Sequence, residues 1–196
     1  MVKNQKSITI YPVFKQAFLT AEHAEGEMEY LGDALGRDFM VAKFVDGFSR
    51  TYLGDGKRNE DWFGYKADVL APCDAVVEKI RINEEENTPG SHTNKPAGSV
   101  IFRCKDDVRL VYAHVTDIRV EEDEKVVAGQ TFARCGNNGT SWAPHIHVGA
   151  WKDNEPLQII VDLSALGKIQ REQGDNYFLE NDEKTRHDFK ESFKQK

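Results

Sequence analysis

Beyond Val69 the chain is a succession of short apolar runs set between turns rich in Gly, Pro and Asp, and this spacing constrains the fold most strongly. The runs at residues 75–82, 98–104, 109–114, 126–134 and 145–151 have the length of strands rather than of helices. Closely spaced short strands predict an all-β core, an antiparallel barrel or sandwich, with helices kept to the termini.

Upstream the pattern is less uniform. Residues 7–10 read as a short strand before Pro12. Val13, Phe14, Ala17, Phe18 and Ala21 have partial helical spacing, while Gly26, Gly32 and Gly36 interrupt any long helix. Phe39, Val41 and Val45 suggest one apolar strand face, closed by an Asp46-Gly47 turn. The polar stretch 83–96, with its two prolines, is expected to be a long exposed hairpin loop. Residues 168–196 are strongly polar and are expected to form a peripheral helix or to remain partly disordered. A length of 196 residues fits one domain with appendages. The expected division is an N-terminal extension at 1–19, a core domain at 20–161 and a polar tail at 162–196.

A net charge of −7 argues against non-specific nucleic-acid binding, because no cationic excess is present to replace phosphate counterions. It also disfavours anionic membrane surfaces. No apolar stretch is long enough to span a bilayer, and residues 1–11 lack the apolar core of a secretory signal. The expectation is a cytoplasmic protein or one released by another route. Its oligomeric state is not indicated. Cys73, Cys104 and Cys135 are odd in number and lack CxxC spacing, so they are expected to be buried, reduced thiols.

The chemistry concentrates near residue 145. In a strand, residues two apart share a face, so His145 and His147 project together while Ile146 turns to the opposite, buried side. Two imidazoles on one face suit a metal, or one ligand beside one proton-handling group. An isolated His-x-His is more often a pair of surface histidines. Here it follows a Gly136-Asn137-Asn138-Gly139-Thr140-Ser141 loop that can wall a cleft, and His114 closes a separate apolar strand.

Together with Val126-Val127-Ala128-Gly129-Gln130, these segments resemble the M23 zinc endopeptidases of the lysostaphin or LytM-like group. Val69-Leu70-Ala71-Pro72-Cys73-Asp74-Ala75-Val76-Val77 resembles that family's V-x-A-P-x-D-G-x-V segment, with Ala75 in place of Gly. The matching segments span roughly residues 69–151, in order and at the right spacing. The resemblance implies an antiparallel β-sheet groove of LytM type whose floor carries one zinc ion. It implies cleavage of Gly-containing peptide cross-links in peptidoglycan. It also implies His147 as a zinc ligand, with His114 and His145 as unliganded catalytic histidines.

The family's other two ligands normally come from His-x-x-x-Asp, which this chain lacks. An ungapped match puts that motif near Lys57 to Asp61, where Lys57 cannot replace an imidazole. In a second match, Asn59-Glu60-Asp61-Trp62-Phe63-Gly64-Tyr65 resembles an insertion found in some members. Asp38, in Arg37-Asp38-Phe39-Met40-Val41, then becomes the carboxylate ligand and His23 the imidazole. His23 could equally be a surface residue of a helix, and Asp61 stands as the reserve carboxylate. His92 and His187 lie outside any motif and default to surface roles.

Two functions follow. The leading one is a zinc-dependent metalloendopeptidase acting on peptidoglycan or a similar Gly-rich peptide. The alternative is a degenerate, non-catalytic M23-like domain that binds a peptide or protein partner, which the stretched first motif favours. A lipoyl-type carrier hairpin at Val126 to Gln130 would leave His145 and His147 unexplained.

Overall fold

A computed structural model of the chain describes residues 6–24 and 35–173. His187 and most of the polar tail lie outside them. The strands are β1 (Ser7–Ile10), β2 (Phe18–Glu22), β3 (Arg37–Val41), β4 (Lys43–Val45), β5 (Phe48–Arg50), β6 (Asp68–Leu70), β7 (Ala75–Arg81) and β8 (Ser99–Arg103). They continue as β9 (Arg109–Ala113), β10 (Val115–Thr116), β11 (Lys125–Val126), β12 (Thr131–Cys135), β13 (Ile146–Lys152), β14 (Glu155–Pro156) and β15 (Gln158–Val161). Helix α1 (Leu163–Gln173) follows, with Asp162 accepting the backbone N–H groups of Ser164 and Ala165 at its start.

The main sheet has eight strands in the order β11-β7-β8-β9-β13-β3-β2, with β14 added to β13. Every pairing in it is antiparallel. A smaller sheet, β10-β12-β6, packs on it. Phe132 of β12 meets Phe102 of β8 and Tyr112 of β9 edge-on, with ring centroids 4.8 and 5.5 Å apart. These three rings are fully buried and form the centre of the core. The fold is therefore the all-β, antiparallel architecture expected of the LytM type, but the sheets stay open and do not close into a barrel among the described residues.

Several expectations change. The partial helical spacing before residue 22 is not realised: Phe18–Glu22 is a strand, because its backbone pairs along the whole of β3. Ahead of the expected core domain, Ile10, Val13 and Phe14 are buried in the core, and β1 pairs in parallel with β15. Stretch 83–96 is not simply exposed. Asn87 is buried and its side chain spans the carbonyls of Gly139 and Ser141 at 2.8 and 2.9 Å. Cys73 and Cys104 are not reduced thiols but a disulfide that ties the turn before β7 to the end of β8. The antiparallel pairing of β7 with β8, Val76 opposite Arg103, brings the two cysteines together, which the linear sequence does not reveal. Cys135 is the free, buried thiol, and burial pushes its pKa up.

Candidate active site

Strand β13 lies at the centre of the site, between β3 and β9. Ile146 and Val148 are buried in the core, so the alternate positions face the other side of the sheet. There His147 stands opposite Asp38 of β3 on one flank and Ala113 of β9 on the other. On β3, Asp38 in turn stands opposite Ala21 of β2. His23, two residues beyond Ala21, shares that face, and its N–H donates to Gly36 O at 2.9 Å. The long separation of His23 from Asp38 in sequence is thus spanned by an antiparallel pair of strands.

The side chains converge. His147 Nδ1 lies 2.9 Å from Asp38 Oδ1, and His23 Nε2 lies 3.2 Å from the same oxygen. His23, Asp38 and His147 each place a ligand atom within 4.8 Å of the others. Tetrahedral zinc with bonds of about 2.0–2.1 Å sets its ligand atoms about 3.4 Å apart, so two imidazoles and one carboxylate in this arrangement fit the ion. The reserve carboxylate is engaged elsewhere: Asp61 accepts the Arg58 N–H at 3.0 Å and pairs with its guanidinium at 3.1 Å.

His114 and His145 form a second imidazole pair, with ring centroids 4.5 Å apart. His114 Nδ1 lies 2.8 Å from Asn138 O, and His145 Nδ1 lies 2.8 Å from Ala143 O. A carbonyl only accepts, so each Nδ1 carries the proton and each Nε2 keeps its lone pair. His145 Nε2 points toward Asp38, 3.7 Å from Oδ1. Burial, aided by the neighbouring imidazoles, holds His114 well below the usual histidine pKa. Burial also lowers His145, against the opposing pull of Asp38. Burial would raise Asp38, but the hydrogen bond with His147, the charges of His145 and His147 and the contact with His23 outweigh it and hold the carboxyl below its ordinary range.

Asparagines that no sequence motif marked brace the site. Asn137 Nδ2 donates to Asn59 Oδ1 at 2.8 Å, and Asn137 O accepts the Asn87 N–H at 2.6 Å. These bonds clamp the loop before β13 to stretch 83–96 and to the short 3₁₀ turn Asn59–Asp61. Buried amides next to a Gly-rich loop were the available signal, since buried polar groups are paired. His92 is half-buried, and its ring meets that of the exposed Trp142 with centroids 4.5 Å apart.

An open antiparallel sheet with imidazoles gathered around one carboxylate defines the class, an all-β domain with a candidate metal centre. The model of Peptidase family M23 matches residues 61–159, half of the chain, and the protein belongs to that family. Similar solved structures include a zinc-containing peptidase from Vibrio cholerae, 18% identical over 78% of this chain, with a TM-score of 0.49. The chain spans 39% of that protein. The catalytic domain of a variant of the prophage-encoded M23 protein EnpA from Enterococcus faecalis is 18% identical, covering 76% of this chain and 93% of its own, at a TM-score of 0.48. The catalytic domain of the antimicrobial peptidase lysostaphin from Staphylococcus simulans is 19% identical, covering 79% and 89%, at 0.43. No curated protein matches the chain.

Proposed function

We propose that the protein is a zinc-dependent endopeptidase that hydrolyses peptide bonds in peptidoglycan cross-links or similar Gly-containing peptides. The observation that carries this is the convergence of His23, Asp38 and His147 ligand atoms directly beside the His114–His145 pair. Zinc held by His23, Asp38 and His147 would supply Lewis-acid polarisation of the scissile carbonyl and of a water molecule. His145 and His114 each keep Nε2 unprotonated, as a proton acceptor must, and His145 Nε2 faces Asp38. One takes the proton of the attacking water, and the resulting imidazolium returns it to the leaving amine. In its protonated state each ring also offers a hydrogen bond to the developing oxyanion. The Cys73–Cys104 disulfide supports action in an oxidising compartment, where a cell-wall substrate is found.

The test is to load the purified protein with zinc and incubate it with Gly-containing cross-link peptides and with intact peptidoglycan, scoring new amino termini. Cleavage is expected, and His114→Ala should keep the metal while losing on the order of 100-fold or more in rate. Stoichiometric zinc without cleavage of either substrate would replace this reading by a non-catalytic, peptide-binding domain.

A further inference from the structure

Strand alternation alone would aim His114 at the wrong side of the sheet. Tyr112 points into the core and is fully buried, whereas Ala113 stands opposite His147 on the site face. By the two-residue period His114 should follow Tyr112 inward. It does not, because the β8–β9 ladder gains a residue there. The last regular pair is Ser99 with Ala113, yet the next backbone bond runs from Val115 N–H to Gly98 O, so His114 is the extra residue of a β-bulge. Its φ is +65°, in the left-handed region where a non-glycine residue is held only by its surroundings. The bulge turns the imidazole out of the core and against His145.

One side chain fills the gap this opens. Asn138 is fully buried, its Oδ1 accepting the Gly98 N–H at 2.7 Å and its Nδ2 donating to Val115 O at 3.0 Å. Its amide thus satisfies one donor and one acceptor on the two sides of the bulge. Its own carbonyl accepts His114 Nδ1–H at 2.8 Å. The turn is completed by the Gly136 N–H, which donates to His114 O at 2.8 Å. Gly98 has no room for a side chain, since a Cβ there would lie 2.5 Å from Val115 O.

We infer that Asn138 is a positioning residue for His114: its amide holds the bulge that swings His114 onto the site face, and its carbonyl fixes the ring with Nε2 free to accept a proton. Only an amide side chain offers a planar donor and acceptor at this reach. Asp would present a second acceptor to Val115 O, and Ala would leave both Gly98 N–H and Val115 O buried without this partner. The inference takes its catalytic meaning from the function proposed above, but the geometry it asserts can be measured without activity.

The experiment is long-range ¹H–¹⁵N correlation of the histidine rings in chelator-treated protein, followed by kinetics of the zinc-loaded protein. Wild-type His114 is expected as the Nδ1–H tautomer. Asn138→Ala, and independently Gly98→Ala, should disperse that signal into mixed tautomers. They should leave zinc content unchanged and lower kcat on the order of 100-fold with little change in KM, as misplacement of a catalytic group does. A purely structural role would lower thermal stability but spare the tautomer and kcat below the melting range. Wild-type His114 in the Nε2–H form would overturn the inference outright, whether or not the variants fold. So would an unchanged tautomer in folded Asn138→Ala. A wild-type protein with the Nδ1–H tautomer but no peptidase activity would retain the positioning and remove the function proposed above.

Discussion

His147 Nδ1 and Asp38 Oδ1 lie 2.9 Å apart across the β3–β13 pair, although 109 residues separate them in the chain. The contact follows from register, because the two residues are direct partners in an antiparallel ladder. Neighbouring strands bring directly opposed side chains within reach whatever the length of chain between them. The same logic brings His23 to Asp38 through β2.

Metal binding should depend on all three residues of this cluster. The wild-type protein is expected to hold about one zinc per chain, with His147→Ala and Asp38→Ala reducing it to background. His23→Ala should weaken affinity by more than the roughly 10–100-fold that an outer-sphere partner costs. His92→Ala should leave it unchanged. Elemental analysis after dialysis, with competition against a chromophoric chelator, measures each. Equal retention in His23→Ala and His92→Ala would remove His23 from the ligand set.

Stability of the chelator-treated protein should fall as pH drops from about 7 to about 5. His114 and His145 both have folded pKa values lowered from 6.5. The unfolded chain therefore takes up protons below about 6.5 that the folded state refuses, so the stabilisation is complete above that pH and is lost below it. Each imidazole contributes a slope of up to roughly 1.4 kcal/mol per pH unit in this window. Asp38, lowered from 3.8, adds stability that is present above about 4 and disappears only in stronger acid. Urea titrations of wild type against His114→Gln across pH 5–8 would measure the first slope, which should be shallower in the variant.

The disulfide should be worth several kcal/mol. It closes a loop with a sequence separation of 31, for which chain entropy gives about 3–4 kcal/mol. Thiol titration of the unfolded, unreduced protein should find Cys135 alone, and Cys73→Ser with Cys104→Ser should lower the denaturation midpoint by the corresponding amount. Three titratable thiols in freshly purified protein would contradict the pairing.

Local patterning determined a good deal of this protein. The short apolar runs dictated an antiparallel all-β core, because a two-residue period leaves a strand little choice of which face it buries. That period also placed Ile146 in the core with His145 and His147 on the other side. What it could not decide were relationships between distant segments. The helix-like spacing around Phe14 and Phe18 lost to ladder pairing with β3, and Cys73 met Cys104 only because β7 and β8 are neighbours. The meeting of His23 with Asp38 was left open between a ligand and a surface residue, since no local rule relates residues on opposite arms of a long hairpin. His114 shows the boundary most sharply. Alternation along its own strand points it into the core, and only the bulge, held by Asn138 from a different part of the chain, turns it toward the site.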